Sequence, residues 1–279
     1  MDDKELAELN LLTSDRLLEA LKNRDKVLAL SLARNLGKEF LAIHKNLWST
    51  AEDLFHYLHD TFSEKQGKAA EEIADYIKNG DFESASRILE RKNNEHILLH
   101  DLYLEIIEAL QGALANIFGE ESLYQALRYT AEKKKFWFEK MIKLPSEELA
   151  RQSAELVKMH PGQYRVTEDE EKFTFTMDPC GSGGRLWRRQ TQGGLGKEIY
   201  FTKNGHPQNL NQEGLPAYCA HCPVWNSLMP IEWFGFPLWV YKLPKSSSEP
   251  CKIHIFKNPE KIPQEYFNLL GKSKGGGEK

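Results

Sequence analysis

Four cysteines are the residues best suited to chemistry, and all of them lie beyond residue 179: Cys180, Cys219, Cys222 and Cys251. Cys180 stands in Asp178-Pro179-Cys180-Gly181-Ser182-Gly183-Gly184, and the next two stand in Tyr218-Cys219-Ala220-His221-Cys222. In a Cys-x-x-Cys turn both sulfurs reach one ion at about 2.3 Å. The expected ligand set is Cys180, Cys219 and Cys222, with a fourth ligand from Cys251 or His206. Four protein ligands make a closed, structural zinc site; three plus water make a catalytic one, with the water pKa lowered to about 7. Four thiolates also suit an iron–sulfur cluster. Zinc is the first expectation and the cluster the alternative. Without metal, Cys180 is a candidate nucleophile oriented by Asp178 or a histidine. A thioredoxin-type motif needs a strand–helix–strand alternation around the two cysteines, and the sequence shows none.

The glycines after Cys180 suit a tight loop with positive φ, turning backbone N–H groups toward the sulfur and favouring thiolate. Asp178 is placed to be a general acid/base or to orient the site. The three arginines that follow, Arg185, Arg188 and Arg189, read as a solvated face or as holders of an anionic substrate, and in the enzymatic reading Arg185 takes a substrate carboxylate. Trp233, Phe234, Phe236 and Trp239 supply sheet core or the wall of an apolar pocket.

The elements that must position these residues divide near residue 160. One proline, Pro145, precedes that point and eleven follow it. The first part reads as long helices and the second as strands and loops. Within the first part, Glu39-Phe-Leu-Ala-Ile-His44 is echoed by Glu95-His-Ile-Leu-Leu-His100 at an offset of 56. The same offset matches Leu54 with Leu110, Phe62 with Phe118, and Asn23-Arg-Asp25 with Asn79-Gly-Asp81. An internal duplication of about 12–66 and 68–122 follows, of a period usual for helical pairs. Each unit reads as a short helix (15–22; 69–78), a turn capped by Asp25 or Asp81, a second helix (26–36; 82–91), and a long helix (39–62; 95–118). Leu41, Leu47 and Leu54, like Ile106, Leu110 and Leu114, recur at helical spacing and are expected at the centre of a bundle. The paired His44 and His100 read as hydrogen-bonding groups of that bundle. Two more helices are expected over 121–159, with Ser146 as an N-cap.

In the second part, Lys172 to Met177 alternates as a strand, entered by a hairpin over Glu168–Glu171. Pro230–Tyr241 and Cys251–Lys257 read as two further strands, and Pro259–Leu270 as a closing helix. Residues 271–279 are expected to be disordered.

A net charge of −4 gives no general pull toward nucleic acid or an acidic membrane surface. No apolar run approaches the roughly 20 residues of a membrane span. The acidic Met-Asp-Asp-Lys-Glu start carries no signal core, so a cytoplasmic, reducing setting is expected, where Cys-x-x-Cys is a metal or redox element.

On the motifs around Cys180 and Cys219, the stretch from Lys172 to Tyr266 resembles a bacterial family with the same Asp-Pro-Cys-Gly-Ser-Gly-Gly-Arg and Tyr-Cys-Ala-His-Cys runs, of no assigned activity. More distantly, the last region resembles the C-terminal part of the L-2-amino-thiazoline-4-carboxylate hydrolase family, and through it the vinyl-4-reductase-type small-molecule-binding domains. The shared features are helices first, a strand leading to Cys180, and a last strand preceded by Cys251. The Cys219-x-x-Cys222 turn is a departure from the hydrolase pattern. This resemblance implies an α+β domain with a mostly antiparallel sheet and a buried small-molecule pocket.

The expectation is therefore an α+β protein: a duplicated helical domain (1–160) packed on a cysteine-bearing domain (161–270). The leading function is a zinc-dependent, hydrolase- or lyase-like enzyme acting on a small organic molecule in an aromatic-lined pocket between the two parts, with metal-activated water or the Cys180 thiolate attacking it. A ligand-sensing or interaction module stapled by zinc is the alternative, and an iron–sulfur redox protein the second.

Overall fold

The computed structural model describes residues 11–194 and 198–275, without the side chain of Gln66. The chain is α+β, with helices up to residue 158 and a small antiparallel sheet beyond it. It divides into two compact units between Lys92 and Asn93. The shift in composition falls elsewhere, near residue 160.

The first unit holds α1 (Thr13–Lys22), α2 (Lys26–Lys78) and the start of α3 (Phe82–Phe118). The expected breaks near residues 37 and 63–68 do not occur: α2 is one helix of 53 residues. A single glycine in a helix costs only about 1 kcal/mol relative to alanine, so Gly37 and Gly67 interrupt nothing. Leu17, Ala20, Ala29 and Leu32 close the contact between α1 and α2.

The duplication is visible as repeated geometry. Arg24 and Gly80 both adopt left-handed φ, at 58° and 77°. The Asp25 and Asp81 side chains each accept from the backbone N–H three residues on, at 3.0 Å. The N–H groups of Asp25 and Asp81 reach back to Ala20 and Tyr76, both at 2.9 Å. The copies part at position 63. There α2 continues through Ser63, whereas its counterpart Gly119 takes φ +90° and ends α3. The expected bundle core is not formed by the leucine stripe, because Leu41, Leu47, Leu54 and Leu110 are all exposed.

The second unit continues with α4 (Glu120–Glu132), α5 (Lys135–Met141) and α6 (Ser146–Lys158), three helices rather than two. Glu120 and Glu121 in the first turn of α4 favour its positive end. Ser146 is the first helical residue and not a cap; Pro145 precedes it, and the Ser146 hydroxyl turns to Glu147. Strands β1 (Tyr164–Glu168) and β2 (Lys172–Met177) form the expected hairpin, closed by Asp169, which accepts from the N–H groups of Glu171 and Lys172. With β3 (Val240–Lys242) and β4 (Cys251–Phe256) they give a four-stranded antiparallel sheet ordered β1-β2-β4-β3. The register sets Met177 opposite Cys251, Phe175 opposite Ile253 and Phe173 opposite Ile255. Period-two alternation puts all six on one buried face, which forms the core with α4 and α6.

Between β2 and β3 lie α7 (Gly183–Thr191) and a helical run over 217–234. This run overturns the strand expected to begin at Pro230. It passes from a 3-10 turn (Ala217–Ala220) through a π turn (Val224–Leu228) to α8 (Met229–Phe234), ended by Gly235 at φ +89°. Pro230 has no N–H to give the Asn226 carbonyl four residues earlier, and that carbonyl accepts from the Trp239 N–H instead, at 3.0 Å. After β4, α9 (Gln264–Leu269) closes the chain. The expected tail disorder does not begin at 271: Lys274 donates to the Ile262 carbonyl at 3.1 Å. The last four residues lie outside the described residues, as do Leu195 and Gly196 of the loop expected at Gly193–Gly196.

Candidate functional site

Three elements carry the four cysteines to one place. Cys180 follows β2, Cys219 and Cys222 open the helical run, and Cys251 begins β4. All four line a cavity of about 20 Å³, together with Trp187 and Tyr218. Their sulfurs are free thiols. Gly181, Gly183 and Gly184 do not adopt the positive φ expected of them. They are small because the chain is crowded: a Cβ on Gly183 would lie 2.4 Å from Cys219 Sγ, and one on Gly184 would lie 3.2 Å from Cys180 Cβ. The polar neighbour of Cys180 Sγ is Ser182 Oγ, at 3.3 Å.

Cys180, Cys222 and Cys251 also face a second cavity, of about 100 Å³. Its other polar groups include Ser182, His160, His221, Asn226 and Tyr241, and its walls include Val157, Met177, Trp239 and Ile253. At about 10–15 Å³ per water by this measure, that volume holds a small organic molecule.

His221 is oriented by the backbone. Its Nδ1 lies 2.5 Å from the Tyr218 carbonyl oxygen, which can only accept, so Nδ1 carries the hydrogen. The lone pair is then on Nε2, which lies 3.5 Å from Cys222 Sγ. Burial lowers the His221 pKa to about 4, so the ring is neutral near pH 7. Burial also raises the thiols of Cys219, Cys222 and Cys251; the neighbouring cysteines add to this, and at Cys222 the Tyr241 hydroxyl opposes it. The π turn just beyond Cys222 lets Asn226 donate to both the Cys222 carbonyl, at 3.2 Å, and the Tyr241 hydroxyl, at 2.9 Å.

Other expected site residues are engaged elsewhere. His206 does not line either cysteine cavity. Its Nδ1 accepts from Gln208 N–H at 3.1 Å, and its ring stacks on Tyr124 with centroids 4.4 Å apart. Asp178 pairs with Arg188 on a largely exposed side chain and lines neither cavity. Arg185, expected to take a substrate carboxylate, already holds one: it grips Asp101 through Nε at 2.9 Å and Nη2 at 3.0 Å. Arg189, expected on a solvated face, reaches the same carboxylate at 3.2 Å and Glu105 at 2.8 Å. Of the aromatic residues, Trp239 lines the larger cavity and anchors by donating from Nε1 to Ser153 Oγ at 3.0 Å.

Glu108 supports the site through the backbone. It is 3 % exposed and accepts from the backbone N–H of Tyr218 at 2.6 Å and of Tyr200 at 3.0 Å. It thereby fixes the start of the cysteine turn. Burial raises its pKa to about 7, against those two hydrogen bonds.

Among the described residues, no group of three or more His, Cys, Asp or Glu side chains stands ready to hold a metal ion. The four thiols suit a soft cation in type, so holding one requires them to close inward and lose their protons. Also among the described residues, no helix is long and apolar enough to cross a membrane. Comparison of the chain with protein-family models, curated proteins and solved structures finds no match.

Proposed function

We propose that the chain is a hydrolase-like enzyme acting on a small, uncharged organic molecule in the cavity beside Cys180, Cys222 and Cys251. The observation that carries this reading is the ordered set of Tyr218 carbonyl, His221 and Cys222. It has the form of an activated nucleophile: a thiol, a base within hydrogen-bond reach, and a third group orienting the base. As Cys222 Sγ attacks an electrophilic carbon, its proton passes to His221 Nε2. The carbon–sulfur bond forms, the leaving group departs with that proton, and water then releases the product and restores the thiol. Neutral histidines, the raised thiols of Cys222 and Cys251, and apolar walls favour an uncharged substrate over a carboxylate.

The test uses a neutral activated ester, p-nitrophenyl acetate, with release of nitrophenolate and the intact mass as readouts. The expected result is one acetyl group on Cys222, formed on the order of 100-fold more slowly in His221→Asn. Acetylation confined to Cys180, or undiminished in His221→Asn, overturns the assignment.

A second reading takes the four thiols as a zinc site, either catalytic or a staple in a non-enzymatic binding module; an iron–sulfur cluster is its variant. It is favoured by the convergence of all four cysteines on one small cavity. Elemental analysis with a visible spectrum tests it. About one zinc per chain, lost in Cys219→Ser and Cys222→Ser, supports the zinc form. Iron with sulfide supports the cluster, and neither metal in protein prepared without chelator counts against both.

A further inference from the structure

His160 lines the larger of the two cysteine cavities, and its hydrogen bonds continue beyond it. Its Nδ1 lies 2.9 Å from His100 Nε2. His100 Nδ1 in turn lies 3.3 Å from Asp101 Oδ1. Asp101 is 8 % exposed and held by Arg185 and Arg189. We infer that Asp101, His100 and His160 form a relay that makes His160 a base of the cavity, a role resting on the enzymatic reading above.

The assignment follows from what each atom can donate. Asp101, clamped between two guanidinium groups, is a carboxylate and only accepts. The hydrogen between it and His100 therefore sits on His100 Nδ1. In the neutral ring this leaves the lone pair on His100 Nε2, so His160 Nδ1 must donate to it. The lone pair of His160 is thus on Nε2, the ring atom not engaged by His100. Both histidines are kept neutral at rest chiefly by burial, and His160 is lowered to about 4.

The consequence is a division of labour within one cavity. His221 serves the Cys222 thiol, and His160 is free to take a proton from a second group: the attacking water, or a hydroxyl or amine of the substrate. When His160 Nε2 accepts that proton, its Nδ1 proton can pass to His100 Nε2, and the His100 Nδ1 proton toward Asp101. Each imidazole takes one proton at Nε2 and gives one at Nδ1, and positive charge moves from the apolar cavity toward a carboxylate. Asp101 and His100 are positioning residues in this account. They have the geometry of a general base oriented by a second histidine and a buried acid.

The test reads the tautomers directly, in the full-length protein labelled with 15N-histidine, by long-range proton–nitrogen correlation near pH 7. His160 is expected as the Nδ1–H tautomer in the wild type. His100→Gln, whose side-chain carbonyl still accepts, should preserve it, and His100→Leu should shift His160 toward the Nε2–H form. A wild-type His160 found as the Nε2–H tautomer overturns the relay even if neither variant folds, and so does a His100→Leu protein with an unchanged tautomer. Acetylation of Cys222 by p-nitrophenyl acetate reports separately on the enzymatic reading. Loss of that acetylation with the tautomer intact removes the reaction and leaves the hydrogen-bond relay standing.

Discussion

Gly162 and Gly181 meet backbone to backbone. A Cβ on Gly162 would stand 2.4 Å from the Gly181 nitrogen, and a Cβ on Gly181 would stand 2.7 Å from the Gly162 nitrogen and 2.8 Å from His160 Cβ. This approach seats His160, at the end of the helical part, against the residue that follows Cys180. The atoms in the way are mainly backbone and cannot rotate aside. Gly181→Ala is therefore expected to lower stability by about 1–3 kcal/mol, the usual cost of overpacking. Urea unfolding measures it, and an unchanged midpoint would show that the two segments separate freely.

The cysteines differ in access, and their alkylation should follow. Cys180 and Cys222 are partly exposed, whereas Cys219 and Cys251 are buried. Iodoacetamide is expected to label Cys180 first, Cys222 more slowly because burial raises its thiol, and Cys219 and Cys251 only on unfolding, as read by peptide mass spectrometry. Protection of all four, lifted by a chelator, would instead favour the zinc reading. Uniform labelling of the folded protein would mean that the cysteine cavity opens readily.

The duplicated turns should respond alike. Asp25 and Asp81 occupy matched N-terminal positions and accept the same hydrogen bond. Asp25→Ala and Asp81→Ala are each expected to lower the Tm, by similar amounts, because the same cap is lost from the same turn. Thermal unfolding followed by circular dichroism checks this. A loss confined to one of them would mean that the repeat is preserved in shape but not in energetics.

Much of this was legible in the chain because it is local. The offset of 56 carried the two Asn-x-Asp turns, and alternation carried β2 and the burial of Cys251, Ile253 and Ile255. The gathering of the cysteines was readable from their scarcity. What escaped depends on partners distant in sequence. Arg185 is claimed by Asp101, 84 residues earlier, and His160 by His100, 60 residues earlier. No local pattern marks either pair. His221 was in plain view inside the Cys-x-x-Cys turn, but its role rests on a carbonyl whose direction only the 3-10 turn sets. The run after Met229 misled because its aromatic residues suit strands, while a proline in a first helical turn is equally at home.

Glu108 ties stability to pH in a direction opposite to that of the buried histidines. Its pKa in the fold is about 7, above its ordinary 4.5, so the fold favours the protonated form. Its contribution is complete below about 4.5 and is lost as pH rises through about 7. The full difference amounts to roughly 3 kcal/mol. His160 and His221, lowered to about 4, contribute above their ordinary 6.5 and lose that contribution as pH falls through about 4. The two trends overlap in the wild type, so the separating measurement is the stability difference between wild type and Glu108→Gln. The histidine term is common to both proteins and cancels. The glutamine oxygen accepts one of the two backbone N–H groups, which adds an offset independent of pH. Urea unfolding at intervals across this window should show the wild type losing ground to Glu108→Gln as pH rises. A difference that stays level would mean that Glu108 ionises in the fold as it does in the open chain, and that its two backbone donors fully offset its burial.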